Sequence, residues 1–224
     1  LLDAGQHNSI YIHNCEWLPC SAMSDKEYIS KHGLEYVVIP LNESHTVIDK
    51  DEEIIEKSRL IVRTNTMSRE DWVRMNVYST TIQCFHHEGL LMHFALYLRN
   101  EKGIRYSDFY QSLIDYLVSD NTTLSGKIYQ ELIHRFEAVS QGKSGIIFED
   151  RRFGDVGWPS EEYVFLNIAY EIDRFYDEIK PFLEQYITDT NVFESLFAYQ
   201  KNVIKLPFIE KIDFTSDFDF KNYF

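Results

Sequence analysis

Positive charge is scarce in this sequence of 224 residues. It holds 22 Lys and Arg against 36 Asp and Glu, which gives a formal net charge of −14. Binding to nucleic acids and to anionic membranes depends on cationic side chains. The composition therefore argues against both surfaces, and we expect neither a nucleic-acid partner nor a membrane partner.

Long hydrophobic runs, a signal peptide and paired cysteines are also missing. A membrane-spanning helix needs roughly 20 consecutive apolar residues, and a secretory signal begins with a basic and then an apolar region. The three cysteines, Cys15, Cys20 and Cys84, are an odd number, whereas secreted folds that depend on disulfides are dense in paired cysteines. We therefore expect a cytoplasmic protein.

The sequence lacks the motifs of several self-contained enzymes. It contains no G-x-x-x-x-G-K-[ST], no G-x-G-x-x-G and no G-x-S-x-G. Without them, the usual cradle for nucleotide phosphates and the usual serine nucleophile are absent. We expect this chain alone not to be catalytic.

Hydrophobic residues make up 44% of the chain, enough to bury a core. Runs rich in β-branched residues predict short strands at 9–13, 36–40 and 60–63, with an acidic loop or short helix at 49–56 between the last two. Apolar residues at three-and-four spacing predict helices at 25–32, 72–98, 106–118, 124–139, 160–179 and 192–200. The predicted fold is α+β, mostly α: a strand-containing segment 1–66 and a helical bundle domain 67–224.

Some residues predict where these elements begin and end. Ser24 is the expected cap of the first helix, and Gly89 is expected to bend or break the long buried helix at 72–98. Pro181 should mark a bend or a fresh start. Phenylalanines alternate in the last residues, 212–224, which predicts an extended aromatic tail that docks on the body.

His86, His87 and His93 suggest a metal site, because imidazoles seven residues apart can share a helix face. A zinc-protease helix, however, needs H-E-x-x-H, and Leu91 stands where the second histidine would be. We favour packed or capping histidines and expect no metal ligand. A small metal-dependent hydrolase that uses these histidines stays open as a third possibility.

Three further clusters have simpler explanations. Glu131 and His134 form one E-x-x-H, whereas di-iron bundles use two together with further glutamates, so a solvated helical pair is favoured. Cys15 and Cys20 are spaced more widely than the thiolates of structural zinc sites. The charged loop at 150–155 is interpreted as a local salt-bridged loop rather than an anion site.

Several runs resemble one enzyme family. The run N-C-E-W-L-P-C-S-A-M-S-D-K-E-Y at 14–28, followed by K-H-G-L at 31–34, resembles the late-barrel region of cobalamin-binding radical S-adenosylmethionine proteins. There, an N-x-x-x-L-P-x-x-x-M-x-D-x-x-Y run leads to a Y/H-G-I/L step. The runs T-N-T-M-S-R-E-D-W at 64–72, F-H through G-L at 85–90 and F-Y at 109–110 are similar to the C-terminal helical region of the same family.

The resemblance implies the last strands of a barrel-like sheet followed by the family's C-terminal helical domain. For the full-length protein it also implies an iron–sulfur cluster, S-adenosylmethionine and cobalamin. The family's cluster ligands form a C-x3-C-x2-C triplet that this chain lacks, and its cobalamin module precedes the barrel. We therefore expect this chain alone to bind no cofactor. By position, Asn14 and Pro19 are expected at the cofactor-facing rim, since loops after barrel strands form the active face.

The sequence begins at Leu1 rather than Met, with a strand-like run within about ten residues, and we interpret Leu1 as a cut end. The leading hypothesis is the C-terminal part of such an enzyme, whose helical domain shapes the substrate end of the barrel. Its partners would be its own N-terminal domains. The alternative is a non-catalytic protein-binding helical module. The substrate and the reaction type stay open.

Overall fold

A computed structural model describes residues 1–6, 8, 10, 12–48, 55–204, 215–216 and 218–224. The chain divides into two compact units. The sheet unit comprises Tyr11–Thr80 and Gln130–Tyr163, and the helical unit comprises Leu1–Ile10, Thr81–Tyr129 and Val164–Phe224. The sequence-based division at residue 66 stays a prediction.

The sheet unit is built on two strands, β1 (Glu35–Pro40) and β2 (Lys57–Arg63), which pair antiparallel. Their inner face buries an apolar set, as the alternation of side chains along a strand requires: Val37, Ile39, Leu60 and Val62. Of the acidic stretch at 49–56, residues 49–54 lie outside the described residues. Neighbouring strands of a (β/α)8 barrel run parallel, so the barrel stays an implication of the resemblance.

The first predicted strand, at 9–13, falls partly outside the described residues, which omit 9 and 11. Pairing with β2 is seen a little later, at Cys15 to Trp17. The Ile61 amide donates to the Cys15 carbonyl at 2.9 Å, and the Trp17 amide donates to the Arg59 carbonyl at 2.7 Å. This segment therefore lies along the edge of β2 that β1 leaves open.

Two short strands, β3 (Phe148–Glu149) and β4 (Gly157–Trp158), pair antiparallel in the same unit. Phe136 of the sheet unit's core lies between aromatic neighbours. Its ring centroid is 6.1 Å from that of Trp72 and 6.5 Å from that of Phe148, both at edge-to-face angles. Such contacts add to the gain from burial alone.

Helices dominate the described chain, which confirms the α+β, mostly α class. None of the helices in the described ranges is long and apolar enough to cross a membrane. The helices are α1 (Lys26–His32), α2 (Arg69–Ile82), α3 (Met92–Lys102), α4 (Tyr106–Ser119), α5 (Leu124–Ser140), α6 (Ser160–Tyr170), α7 (Ile172–Glu184), α8 (Thr190–Val203) and the single turn α9 (Phe220–Tyr223).

The predicted break at Gly89 is confirmed. After α2 the chain makes a π-helical turn, Gln83–His87, and Gly89 follows at φ 93°, a region that favours glycine. Two side chains hold this crossing inside the helical unit. The Tyr176 hydroxyl donates to the Leu90 carbonyl at 2.8 Å, and Gln200 Nε2 donates to the Gly89 carbonyl at 2.7 Å.

Two helix boundaries differ from the sequence prediction. Asp25, not Ser24, caps α1, because its carboxylate accepts from the amides of Glu27 at 2.8 Å and Tyr28 at 3.1 Å. The predicted helix at 160–179 is two helices, which part at Glu171, where φ −124° and ψ 43° leave the helical region. The sequence has neither glycine nor proline there, so no local signal predicted the break between the two helices.

Pro181 lies inside α7 and does not begin a new helix, so the fresh start was wrong there, while the bend stays a prediction. Its ring removes one helical hydrogen bond. The neighbouring side chains Ile179, Phe182 and Leu183 are all buried in the helical unit. We attribute the continuity of the helix to this burial, because tertiary packing routinely overrides local propensity.

The aromatic tail lies partly outside the described residues, which omit 205–214 and 217. Its last residues, Phe220–Tyr223, form a helical turn, so an extended conformation was wrong there. Phe220 is buried, and its ring centroid lies 5.1 Å from that of Tyr199 on α8, whereas Phe218 is exposed. The end of the chain thus docks on α8 through Phe220.

Candidate functional site

The sheet unit contains a cavity of about 440 Å³ between α1, the end of β2, the turn at 64–67 and the start of α2. Its walls are unusually rich in sulfur, from Cys15, Met23, Met67 and Met75. Rings and small polar side chains complete them: Tyr28, His32, Trp72, Thr64, Asn65 and Thr66. Ligand sites are typically concave and largely apolar, with a few polar groups that fix orientation.

The wall formed by α1 is fixed at both ends. Asp25 caps its first turn, and Gly33, at φ 60°, ends it. Asn65 then donates hydrogen bonds to two of the carbonyls that have no partner within the last turn of the helix. Its Nδ2 donates to the Lys31 carbonyl at 2.9 Å, and its backbone amide donates to the His32 carbonyl at 2.9 Å.

The opposite wall is set by the start of α2. The Ser68 amide and hydroxyl both donate to Asp71 Oδ2, at 3.0 and 2.9 Å, and the Asp71 amide donates back to Ser68 Oγ at 3.0 Å. This is a reciprocal cap of the capping-box type. Hydrogen bonds from the backbone and hydroxyl of Ser68 lower the pKa of Asp71.

The capped first turn places Trp72 and Met75 on the cavity wall. Trp72 is buried, as its place in the predicted core helix requires, but Met75 is 43% exposed. The prediction of a helix buried all round was therefore wrong at Met75. Its side chain borders an open cavity instead of a neighbouring helix.

The structure separates the two residues that the sequence placed at a cofactor-facing rim. Asn14 Nδ2 donates to Asn76 Oδ1 on α2 at 3.0 Å, and Asn76 Nδ2 donates to the Trp72 carbonyl at 2.9 Å. Asn14 is thus tied to the helix that carries the cavity wall. Pro19 is exposed in a turn closed by the Ser21 hydroxyl, which donates to the Leu18 carbonyl at 2.8 Å. The cavity lining does not include Pro19.

Two buried polar atoms of the sheet unit lack a hydrogen-bond partner among the described residues. One is an acceptor, Asn14 Oδ1, and the other is a donor, Trp72 Nε1. Buried polar groups are nearly always paired, and an orphaned one calls for an explanation such as a ligand or a water molecule. The arrangement suits binding and orienting a small molecule with apolar parts.

The sulfur atoms do not form a metal centre. Cys15 Sγ lies 4.0 Å from Met23 Sδ, and no group of three or more His, Cys, Asp or Glu side chains in the described part of the chain could hold a metal ion. Cys15 and Cys20 are exposed thiols and Cys84 is a buried one. These residues do not fit the family's iron–sulfur cluster.

The histidines singled out in the sequence are packed in the helical unit. His86 is buried and its Nδ1 lies 2.8 Å from the Tyr110 hydroxyl, while the His87 ring lies against that of His86, with centroids 5.3 Å apart. His93 packs against Tyr199, and burial lowers the pKa of its ring. These contacts match the packed histidines that the sequence favoured.

The remaining clusters match their simpler explanations. Glu131 and His134 are exposed on α5. In the charged loop, Arg152 Nε donates to both carboxylate oxygens of Asp150, each at 3.1 Å. The hydrogen bonds from Arg152 lower the pKa of Asp150. The loop is therefore closed by its own ion pair.

The sequence predictions missed Trp72, Met75 and the turn at 64–67 as parts of a site. A signal for them was present. The runs at 14–28, 31–34 and 64–72, which carry the family resemblance, all contribute residues to the wall of this cavity. Segments far apart in sequence thus meet at one place in the sheet unit.

No protein-family model matches the sequence. Two curated proteins are similar to it. One, from Streptantibioticus cattleyicolor, is a 2-(S-pantetheinyl)-carbapenam-3-carboxylate methyltransferase, 26% identical over 222 residues. The other is the cobalamin-dependent radical SAM methyltransferase TokK from Streptomyces tokunonensis, 25% identical over 222 residues.

Each alignment covers 92% of this chain but 32% of the relative. The chain therefore spans about a third of the length of the curated relatives that it matches. The matches extend over nearly the whole chain. The resemblance is confirmed, because over 92% of its length the chain is similar to a cobalamin-dependent radical SAM methyltransferase.

Proposed function

We propose that this chain is the C-terminal part of a cobalamin-dependent radical S-adenosylmethionine methyltransferase. One observation carries the proposal: the chain aligns over 92% of its length with two methyltransferases but covers 32% of each. Methyl transfer is the reaction that both names share. The whole protein would work in the cytoplasm, where free thiols such as Cys15 and Cys20 stay reduced.

The role that we propose for the chain is to shape the substrate end of the barrel. The cavity in the sheet unit supports this role, because segments that resemble the family converge on it. Its thioethers and rings would hold the apolar parts of a substrate, and Thr64, Asn65 and Thr66 would meet polar ones. The chain's own residues would then bind and orient the substrate.

Asn14 and Pro19 keep their proposed place at the rim that faces the cofactors. The bond from Asn14 to Asn76 supports this for Asn14, because Asn76 belongs to α2, the helix that also carries the cavity-lining Trp72 and Met75. The proposal for Pro19 rests on its position in the loop. The strand-containing segment 1–66 would continue a barrel supplied by the preceding domains, and 67–224 would form the helical domain.

The cofactors are proposed for the whole protein and not for this chain. The cluster ligands and the cobalamin module would lie in the preceding domains, which would be the partners of this chain. Bound there, they would generate the substrate radical and supply the methyl group. The alternative, a non-catalytic binding module, has no support in the comparisons.

Sequencing the native reading frame upstream of Leu1 tests the proposal directly. We expect a C-x3-C-x2-C triplet there, preceded by a cobalamin-type module. The longer protein, reconstituted anaerobically with iron, sulfide, cobalamin and a reductant, should then form a cluster and move a methyl group from S-adenosylmethionine to the reduced cobalamin, releasing S-adenosylhomocysteine. An initiator codon at Leu1 would contradict the proposal and leave a free-standing module.

The role of the cavity is tested with Met75→Trp in the longer protein. Met75 is 43% exposed, so a larger side chain should fill the cavity without unfolding the chain. Misplacing a substrate by about 1 Å can cost on the order of 100-fold in rate, and we expect methyl transfer to fall by at least about tenfold.

The matched control is Val118→Trp, on an exposed position of α4. It adds the same side chain at an exposed position of a helix that contributes no residue to the cavity lining, and turnover should be unchanged. If both variants transfer methyl groups at the rate of the unchanged protein, the cavity does not hold the substrate.

A further inference from the structure

The outward side chains of β1 are apolar where those of a solvent-facing strand would be polar. Strands that cover a core on one side normally alternate apolar residues inward with polar residues outward. On the inward side, Val37 and Ile39 are buried as expected. On the outward side, Tyr36 is 42% exposed and Val38 is 45% exposed.

These outward residues belong to one continuous patch. The Trp17 ring stacks on that of Tyr36 with centroids 5.3 Å apart, and the Arg59 guanidinium lies over Trp17 at 5.0 Å from the ring centroid. Val38 is the cross-strand partner of Arg59. We call Trp17, Tyr36, Val38 and Arg59 the outer patch.

The composition of the outer patch is that of an interface. Trp, Tyr and Arg are the residues most enriched where proteins bind one another and where the binding energy concentrates. The patch is also cationic at its edge, because Lys57 is exposed beside Arg59. Its occupant would present apolar groups to Trp17 and Val38 and carboxylates to these two cations.

We propose that the outer patch is where the rest of the longer polypeptide docks on this segment. This inference rests on the proposed function. The occupant follows from length: about two thirds of each relative lies outside the part that this chain matches. Chain of that length must pack against the segment somewhere, and the outer patch offers exposed aromatic and aliphatic surface for it.

The test measures how fast a thiol at position 38 reacts in the full-length protein. Val38→Cys and Val118→Cys carry side chains of the same size at positions that are 45% and 38% exposed in this segment. Each variant is treated with iodoacetamide, and the peptide that holds the new cysteine is followed by mass spectrometry. We expect Cys at position 38 to react at least about tenfold more slowly, because only accessible thiolates are alkylated.

Equal rates for the two variants would overturn the docking surface. Protection at position 38 that appears only with dimer formation, and rises with protein concentration, would also overturn it, because the occupant would then be a second copy. The same preparation is assayed for its iron–sulfur cluster. If the cluster forms and Cys at position 38 reacts as fast as Cys at position 118, the docking surface is refuted and the proposed function stands. If no cluster forms, the proposed function itself is refuted.

A charge on the patch gives a second measurement. Val38→Glu should loosen the docked domain in the full-length protein and speed limited proteolysis between the domains, while Val118→Glu should leave the digestion pattern unchanged. A digestion pattern identical for Val38→Glu, Val118→Glu and the unchanged protein would count against the docking surface.

Discussion

Asn65 lies so close to Gly33 that a Cβ atom on this glycine would stand 2.1 Å from Asn65 Oδ1. The contact joins the end of α1 to the turn at 64–67, and so it joins two of the runs that resemble the family. This close approach lets Asn65 cap the end of α1, which Gly33 terminates. The shape of the cavity between them depends on this pair.

We predict that Gly33→Ala destabilises the protein far more than Gly103→Ala. Both glycines end helices with left-handed backbones, at φ 60° and 66°, but nothing lies within 4 Å of a Cβ on Gly103. The backbone strain, of order 1–3 kcal/mol for a residue other than glycine, is therefore common to both. The difference in free energy of unfolding, measured by urea denaturation, reports the clash with Asn65.

Asn65→Ala provides the internal check on Gly33→Ala. Removing the asparagine side chain relieves the clash, so the double variant should be less destabilised than the sum of the two single variants. Strictly additive effects would show that the contact between Gly33 and Asn65 does not matter.

We predict a large loss of stability for Gln200→Met. Gln200 is fully buried, accepts from the His93 amide at 3.0 Å and donates to the Gly89 carbonyl at 2.7 Å. The substitution leaves two backbone groups unpaired, at about 1–3 kcal/mol each. The matched control, Gln130→Met on the exposed face of α5, should change the free energy of unfolding by less than about 0.5 kcal/mol. Equal effects would contradict the prediction.

We predict that stability falls on acidification through His93. Burial lowers the pKa of His93 in the folded state below its ordinary value of 6.5. Below that pH the unfolded chain binds a proton that the folded state resists, so the free energy of unfolding drops as the pH falls. The dependence of the free energy of unfolding on pH should be weaker in His93→Gln. It should persist in His134→Gln, which changes an exposed position. Urea midpoints at about pH 7.5 and 5.5 measure it.

We predict that two of the three cysteines react in the folded chain. Cys15 and Cys20 are exposed and Cys84 is buried, and thiol reagents attack only accessible thiolates. A colorimetric thiol count should give two equivalents in native buffer and three after denaturation. Cys84→Ala should leave the native count at two and lower the denatured count to two. A native count of three would show that the region around Cys84 opens readily.

Local sequence signals located most of the helices because helix patterns and caps act over a few residues. The run from Trp72 to Leu98, interrupted at Gly89, became α2 and α3 with a π-helical turn between them. The predictions failed where the cause was distant. Nothing local marked the break at Glu171, and the burial that carries α7 through Pro181 involves side chains that only the fold brings together.

For the cavity, too, local sequence signals located one part and distant contacts decided the rest. The sequence pointed to the loop at 14–20 and to Asn14, but the chemistry of that loop gave no partner for it. The partner of Asn14, Asn76, is more than fifty residues away and is brought close by the pairing of β2 with the segment at Cys15 to Trp17. Pro19, in the same loop, turns away into an exposed position.

By itself, the sequence determined the mostly helical class, the negative net charge, the family resemblance and the lack of a cluster-ligand triplet, because composition, spacing and motif are properties of the chain alone. Only the tertiary structure decided that the family-like runs meet at one cavity, that Met75 faces it, and that Tyr36 and Val38 lie partly exposed on the outward side of β1. Such facts depend on contacts between residues far apart in the chain. The periodicity of side chains predicts which residues share one face of a strand or helix, but it does not predict what packs on that face.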